Sequence, residues 1–367
     1  MIDLYGVYYY TPYNFLGHHT IQRLPQTTQL LYAELLQQCA IALPNQRGIS
    51  FVQKTVSGHR YWYMELVVGS TKRQFSLGRD SETLRTQIDK QKNLFAEAVP
   101  DLKQREKLVA MLVTGGAFAP GVSDGRVLEV LAQSGAFLSG GVLVGLHAFN
   151  TYGNMLGVSW GSAAMQTQDM DLASHRQIEV AMRQDAPDVK SVLLDSGMGF
   201  FEVPALNPKS PSTSFKLRGQ EFHVDLLTPL QGPGTGKPVY LPHFNSYAHP
   251  MRFLEYLLED CQDAVIPFRS GTFVNVPNPA RFALHKLVVS QRRPVAQQIK
   301  ARKDIQQATE LLDILLEDRP GDIWIAVEAA LTMQKRFQSQ LAKGIEQLPA
   351  AIKKVVSTHF NPAASGN

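Results

Sequence analysis

Two aspartates, Asp169 and Asp171, stand two residues apart between apolar neighbours, in the stretch TQDMDL at 167–172. Alternate side chains of a β-strand share a face, so both carboxylates would project together, with their Cα atoms ~6.6 Å apart. Such a pair could hold two Mg²⁺ ions ~3.5–4 Å apart, the arrangement that clamps the attacking and leaving oxygens of phosphoryl transfer. A solvated turn is the alternative interpretation of these six residues, so the neighbouring segments have to decide.

The upstream segment 137–149, with the sequence FLSGGVLVGLHAF, contains Gly140 and Gly141 directly after Ser139. We predict that it forms the end of an apolar strand, a Gly-Gly turn and then a helix. Glycines at such a turn let backbone N–H groups approach a polyphosphate, with the helix N-terminus behind them. Taken alone, the segment also fits a tight turn in a buried α/β unit.

The downstream segment 222–227, with the sequence FHVDLL, places Asp225 in an alternating strand pattern. A lone carboxylate in an apolar strand is costly to bury unless it is paired or binds a metal ion. The alternative is a carboxylate that faces solvent at the edge of a strand.

The order of these three segments resembles the nucleotidyltransferase superfamily of DNA polymerase β-like enzymes, whose pattern is hG[GS], then [DE]h[DE], then h[DE]h. More narrowly, the chain is similar to a bacterial group of nucleotidyltransferase-fold proteins, and more weakly to the nucleotidyltransferase toxins of abortive-infection toxin–antitoxin systems. The gap between Gly141 and Asp169 is longer than is usual in the superfamily. We therefore expect a loop or an additional strand at 153–161, beside the site.

The resemblance implies an α+β fold, with a mixed-sheet nucleotidyltransferase core, a small β-meander and helix region before it and a helical bundle after it. It also implies transfer of NMP from an NTP to an acceptor hydroxyl by two-metal catalysis, with Mg²⁺ or Mn²⁺ as the metal and pyrophosphate as the product. The metal-binding and catalytic residues would be Asp169, Asp171 and Asp225, and Asp225 would also help to deprotonate the acceptor.

Nucleotide binding, according to the same resemblance, would involve residues on both sides of these acids. Lys286 lies in a predicted helix and would touch the triphosphate, and Asp304 in the sequence RKD would orient Lys286 or another group of the site. The complete set implied for the nucleotide is Ser139, Gly140, Gly141, Thr167, Lys286 and Asp304.

Four regions are predicted along the chain. Residues 1–100 contain a helix and a three-stranded meander, 101–275 the catalytic domain with its leading helices, 276–358 a helical domain, and 359–367 a disordered tail. Within these regions we expect helices at about 82–98, 101–112 and 321–343 and a strand at 191–194. The pair Asn278-Pro279 predicts the start of another helix, which the sequence RRP at 292–294 closes. Basic residues alternate with aromatic ones in the meander, as a nucleic-acid-binding sheet would need. An ordinary small sheet with one aromatic face packed on the following helix is the alternative.

Composition restricts the class of protein. The 367 residues are 44% hydrophobic and 19% charged, as in a globular chain, and the net charge of +4 is too small to argue for nucleic acid by itself. Cys39 and Cys261 are far apart and fit no metal-binding spacing, so free thiols in a reducing compartment are the simplest account. The sequence suggests no signal peptide and no membrane span. We expect a cytoplasmic protein.

The acceptor stays open between tRNA, another RNA, a protein side chain and a small molecule, and the partner could be an antitoxin or a nucleic acid. Two other classes of function remain possible. One is a catalytically silent nucleotidyltransferase fold that regulates or binds, and the other is a nucleic-acid-binding protein whose meander carries the function. A two-metal nuclease would use similar carboxylates but would leave the Gly-Gly turn without a purpose.

Overall fold

A computed structural model describes most of the chain, and its fold is α+β, as the sequence predicts. Thr167 and the last seven residues lie outside the described part. The described residues are 21–41, 49–56, 58–68, 71–160, 169–175, 188–205, 207, 209–232 and 236–360. None of the helices in these ranges combines the length and the apolar character that crossing a bilayer would require.

The described residues before 115 form two helices, a short strand and an antiparallel meander. The predicted meander is confirmed, with the strand order β2-β3-β4. A single helix follows it where two were predicted, over 82–98 and 101–112, and Pro100 lies inside this helix rather than ending it. The elements are β1 (Gln22–Arg23), α1 (Gln26–Ile41), β2 (Ile49–Val56), β3 (His59–Val68), β4 (Thr71–Arg79) and α2 (Glu82–Thr114).

Helix α1 packs on the rest of the molecule through a small apolar cluster. Leu35 and Leu112 are fully buried there, together with Val265. The backbone N–H of Val265 donates a hydrogen bond of 3.2 Å to the Tyr32 hydroxyl. This contact joins residues 233 positions apart in the sequence, so α1 is held against the strand Cys261–Ile266.

The described residues in the central part of the chain form a mixed sheet, a separate antiparallel pair of strands (Cys261–Ile266 and Thr272–Pro277) and several helices. The elements of this part are α3 (Val122–Gln133), β5 (Val142–Val144), α4 (Gly145–Met155), β6 (Val158–Ser159), β7 (Asp169–Ala173), α5 (Val189–Leu194), β8 (Phe200–Glu202), β9 (Ser214–Leu217), β10 (His223–Pro229), β11 (Val239–Leu241), β12 (Ser246–Met251), α6 (Leu254–Leu258), β13 (Cys261–Ile266) and β14 (Thr272–Pro277).

In the described residues this sheet has seven strands, in the order β11-β12-β10-β7-β5, with β9 on β10 and β8 on β9. The two central strands, β7 and β10, run parallel, whereas β5 is antiparallel to β7. Met170 and Leu172 of β7 are fully buried, as are Val224 and Leu226 of β10. The alternating pattern therefore buries one face of both strands and leaves the acids on the other face.

One local expectation in this part is wrong, and the loop or additional strand expected at 153–161 is present as a strand. The segment 191–194 was expected to be a strand, but it lies in α5, because the Asp188 carboxylate accepts a hydrogen bond of 2.8 Å from the backbone N–H of Ser191 and caps the helix. The segment 153–161 contains the end of α4 and the strand β6. This additional strand pairs with β1, at the border of the N-terminal region.

After residue 278 the described chain is helical, as predicted. The helices are α7 (Pro279–Ser290), α8 (Gln298–Asp318), α9 (Pro320–Thr332), α10 (Lys335–Ile345) and α11 (Ala350–His359). The single helix expected over 321–343 is two helices, because Met333 is extended between them and the Gln338 amide donates hydrogen bonds of 2.8 and 2.7 Å to the carbonyls of Leu331 and Met333. The disordered tail was predicted to begin at residue 359, but His359 is the last residue of α11 and Phe360 is buried.

Candidate active site

The acidic residues of the two central strands come together because of the register between them. Asp225 of β10 lies directly opposite Asp171 of β7, and His223 lies opposite Asp169. Adjacent strands are ~4.8 Å apart, and alternate residues of one strand share a face. All three carboxylates therefore project from one small area of the sheet. Asp169, Asp171 and Asp225 thus lie together on one face of the sheet, and their role in binding metal stays a prediction.

The carboxyl of Asp171 lies among other charged side chains. Burial raises its pKa to about 6, and the negative charge of Asp225, followed by that of Asp169, acts in the same direction. The positive charges of Lys286 and Arg293 oppose this rise. A metal ion bound beside Asp171 would add positive charge and keep this carboxyl ionised near neutral pH.

The turn from β5 into α4 lies against this carboxyl. Gly145, the first residue of α4, has a φ of +66°, and a Cβ built on it would lie 2.3 Å from Oδ2 of Asp171. A side chain here would be strained in its backbone and would also collide with the acid. Because Val144 pairs with Asp171 across the sheet, the N-terminus of α4 opens beside the carboxylates.

The predicted role of Gly140 and Gly141 as the strand-to-helix turn is wrong. These residues precede β5, and the pairing of Val142 with Ala173 places them at the opposite end of that strand from Gly145. The N–H of Gly141 donates to the carbonyl of Ala136, and the carbonyl of Gly140 accepts from the Ser174 hydroxyl at 3.0 Å.

The glycine pair therefore forms the turn that leads from α3 into β5, with Ser139 in the same turn. Three residues of extended chain lie between Gly141 and Gly145, so the two glycines are about 13 Å apart. Ser139, Gly140 and Gly141 are thus distant from the acids. The sequence interpretation took the three-residue strand 142–144 as the start of the helix. It therefore placed the strand-to-helix turn before this strand, whereas the turn follows it.

Three charged side chains of α7, α8 and the segment between these helices form a compact network near the acids. Nζ of Lys286 donates to Oδ1 of Asp304 at 2.8 Å, and Nε of Arg293 donates to Oδ2 of the same residue at 2.9 Å. The Asp304 side chain is 4% exposed and that of Lys286 is 14% exposed. The predicted contact between Lys286 and Asp304 is present, so Asp304 fixes two cations at once.

This basic network faces the acids of the sheet. The charge of Lys286 acts on Asp171, and that of Arg293 acts on it more weakly. Burial lowers the pKa of half-buried Lys303, and the charge of Lys286 acts in the same direction. The charges of Asp304 and, more weakly, Asp169 oppose this shift, so Lys303 also lies near the acids. Acids on one side and cations on the other are what a metal-bound polyphosphate needs, because the metal takes the carboxylates and the cations take the phosphate oxygens.

The residues fit a divalent metal ion that a substrate helps to bind. Nowhere in the described ranges do three or more His, Cys, Asp or Glu side chains form a group that could hold a metal ion by themselves. Mg²⁺, however, is usually bound by one or two carboxylates together with waters and substrate phosphates. Asp171 and Asp225 on adjacent strands, with Asp169 on the same face, supply oxygen donors of this kind.

Four residues of this site were not assigned by the sequence. Gly145 could have been found as the glycine after a short apolar strand, and Lys303 as the basic partner in the sequence RKD. Arg293 was noted as the end of a helix, with no signal for its contact with Asp304. His223 has its Nδ1 3.7 Å from Oδ1 of Asp169, and the alternation of β10 places it on the same face as the acids.

The comparisons with known proteins give one match to this chain. A family model described as nucleotidyltransferase matches residues 123–332, more than half of the chain. The matched range includes β7, β10, α7 and α8, which carry the acids and the basic network. Neither the curated proteins nor the solved structures gave a match.

Proposed function

We propose, from the premise that this chain belongs to the nucleotidyltransferase family, that it moves NMP from an NTP to an acceptor hydroxyl and releases pyrophosphate. Members of this family act on an NTP, generally with a divalent metal ion. The observation that carries the finer proposal is the carboxylate face of β7 and β10, which lies between the N-terminus of α4 and the cations of α7 and α8.

The acids have separate tasks in this proposal. Asp169 and Asp171 bind Mg²⁺ or Mn²⁺, and Asp225 completes the metal site. The bound metal would supply positive charge to the phosphate oxygens and keep the clustered carboxylates ionised. Asp225 also accepts the proton of the acceptor hydroxyl. The oxygen of that hydroxyl bonds to the α-phosphorus, and the bond between this phosphorus and the pyrophosphate oxygen breaks.

The triphosphate is bound by the groups around the acids. Backbone N–H groups of the first turn of α4 point towards it, since Gly145 begins that helix beside Asp171. Lys286 and Arg293, both fixed by Asp304, neutralise the leaving pyrophosphate. Because Asp304 holds both cations in place, little side-chain freedom is lost when the nucleotide binds.

The acceptor supplies a hydroxyl, and RNA, protein and small-molecule acceptors are compared directly in the test. The protein is incubated with an NTP labelled at the α- or the γ-phosphate, a divalent metal ion, and either total tRNA, cellular protein or small metabolites. NMP transfer predicts that the α-label moves to the acceptor while the γ-label appears in pyrophosphate. A γ-label on the acceptor would indicate phosphoryl transfer and contradict the proposal.

The matched variants connect this transfer with the site. Asp169→Ala/Asp171→Ala should abolish transfer of the α-label. Asp263→Ala, which removes an exposed carboxylate of β13, should transfer as the wild type does. Transfer that survives in the double variant would show that other residues carry the chemistry.

A further inference from the structure

The exposed face of the meander β2-β3-β4 has a composition that the proposed transfer chemistry does not use. The register pairs Lys54 of β2 with Tyr61 of β3, and Tyr61 with Arg79 of β4. Directly opposite residues of an antiparallel sheet share a face. One row across the sheet therefore consists of a cation on each outer strand and an aromatic ring on the central strand.

Polar contacts confirm that these side chains share the solvent face. Nζ of Lys54 lies 5.6 Å from the ring centre of Tyr63, two residues beyond Tyr61, and donates to Gln74 at 2.8 Å. Arg79 donates to Nδ1 of His59 at 2.8 Å. Lys54 and Arg79 are exposed, and both tyrosines are half-buried.

On the opposite face of the meander, Trp62 contacts α2 and the segment that leads into it. Nε1 of Trp62 donates to the Asp80 carboxylate at 2.8 Å, and Nζ of Lys92 lies 5.1 Å from the Trp62 ring. Ile88, on the same side of the helix as Lys92, is 2% exposed. The aromatic residues of β3 therefore serve two purposes, since Trp62 packs on the helix while Tyr61 and Tyr63 stay on the solvent face.

We propose that this face docks on duplex DNA, with its central strand towards the major groove. The outer strands of a three-stranded sheet are about 10 Å apart, and the major groove of B-DNA is about 12 Å wide. Lys54 and Arg79 would then reach the phosphates on the two sides of the groove, with Tyr61 and Tyr63 between them. Duplex RNA fits less well, because its major groove is deep and narrow.

The charges of the face agree with this occupant. Lys54 and Arg79 are positive, and Glu65 is the acid in the same set of alternating positions. Phosphate contacts of this kind supply affinity without sequence preference and weaken with salt. The inference does not depend on nucleotidyl transfer, because the surface is made by elements outside the candidate active site.

The test measures binding of the full chain to a short fluorescein-labelled DNA duplex by anisotropy, over a series of salt concentrations. We expect a Kd on the order of 10⁻⁶ to 10⁻⁴ M at physiological salt, as for binding without sequence preference. Lys54→Ala/Arg79→Ala should lower the slope of log K against log salt by about 2, since two phosphate contacts are lost.

Control variants separate this site from general charge. Lys353→Ala/Lys354→Ala removes the same charge from α11 and should leave the slope unchanged. Lys54→Gln/Arg79→Gln retains long polar side chains and serves as a second variant if the alanine substitutions disturb the sheet. Equal losses in the α11 and meander variants, tighter binding of duplex RNA than of DNA, or no binding by the wild type would each overturn the inference.

The outcome is independent of the proposed enzyme activity. Asp169→Ala/Asp171→Ala should bind DNA like the wild type although it transfers no label. DNA binding that fails while label transfer persists would overturn this inference alone. Label transfer that fails while DNA binding persists would overturn the proposed function alone.

Discussion

The carboxyl of Asp171 depends on two neighbours, the backbone of Gly145 and the charge of Asp225. A Cβ on Gly145 would come within 2.3 Å of the acid, and the negative charge of Asp225 adds to the effect of burial in raising its pKa to about 6. The site at this position is therefore sensitive both to a single added methyl group and to the charge around it.

Gly145→Ala tests the first of these neighbours. We expect label transfer to fall at least a hundredfold, because the methyl group displaces Asp171, and the free energy of unfolding to fall by more than the ~1–2 kcal/mol of backbone strain at positive φ. Gly219→Ala is the matched control, since its φ is +76° and nothing lies within 4 Å of the added Cβ. Equal effects of both substitutions on transfer would contradict the contact.

Asp304→Asn tests the network that fixes the cations. The change leaves Lys286 and Arg293 without a charged partner in a mostly buried position, so we expect a loss of about 3–5 kcal/mol in the free energy of unfolding and a higher KM for the NTP. Asp318→Asn, which weakens the exposed pair with Arg23, should cost less than about 1 kcal/mol. Urea unfolding and steady-state kinetics supply the two readouts.

Among the elements, β7 and β10 were predictable and β5 was not. Alternation with buried residues on one side is a direct signal of a half-buried strand, so the acids could be placed on it. The run 142–149 is apolar throughout, and a short buried strand followed by a buried helix has no periodicity to separate them. The strand-to-helix turn was therefore assigned to Gly140 and Gly141 instead of to Gly145.

Helix α7 carries Lys286, and its start was predicted from Asn278 and Pro279. The Asn278 side chain accepts a hydrogen bond of 2.9 Å from the N–H of Ala280. We expect Asn278→Ala to lower the free energy of unfolding by about 1 kcal/mol and to raise the KM for the NTP several-fold. Ser81→Ala, at the cap of α2, should affect stability but not KM, and a change in KM there would contradict this assignment.

At the scale of the whole molecule, stability should depend on pH through buried histidines. Burial lowers the pKa of His147 to about 4 and, with the charges of Lys286 and Arg292, that of His285 to about 3. The unfolded chain takes up these protons below about pH 6.5, whereas the folded chain does not until lower pH. The free energy of unfolding therefore falls as the pH drops from about 6.5 towards these folded-state values.

The expected size of this effect is about 2 kcal/mol per histidine between pH 7 and pH 5. Urea unfolding at the two pH values measures it, and His285→Gln should reduce the difference by that amount. The exposed His249 offers the control, because His249→Gln should leave the difference unchanged. A wild-type protein that is equally stable at both pH values would contradict the assignment.

The packing of α1 on the core shows what the sequence could not supply. Tyr32 and Val265 meet across 233 positions, and no local pattern indicates that contact. The α+β class and the helical C-terminal third follow from local patterns and were predicted. The predicted domain boundary at residue 100 lies inside α2, because this helix continues through Pro100.

The claim on which this account depends is that Asp169, Asp171 and Asp225 bind the metal and the nucleotide together. Titration of Mn²⁺, followed by electron paramagnetic resonance with a non-hydrolysable NTP analogue, measures this directly. We predict that the wild type and Asp263→Asn bind Mn²⁺ much more tightly with the analogue than without it, and that Asp171→Asn and Asp225→Asn lose this gain. Equal Mn²⁺ binding by all four proteins, with the analogue present, would contradict the account.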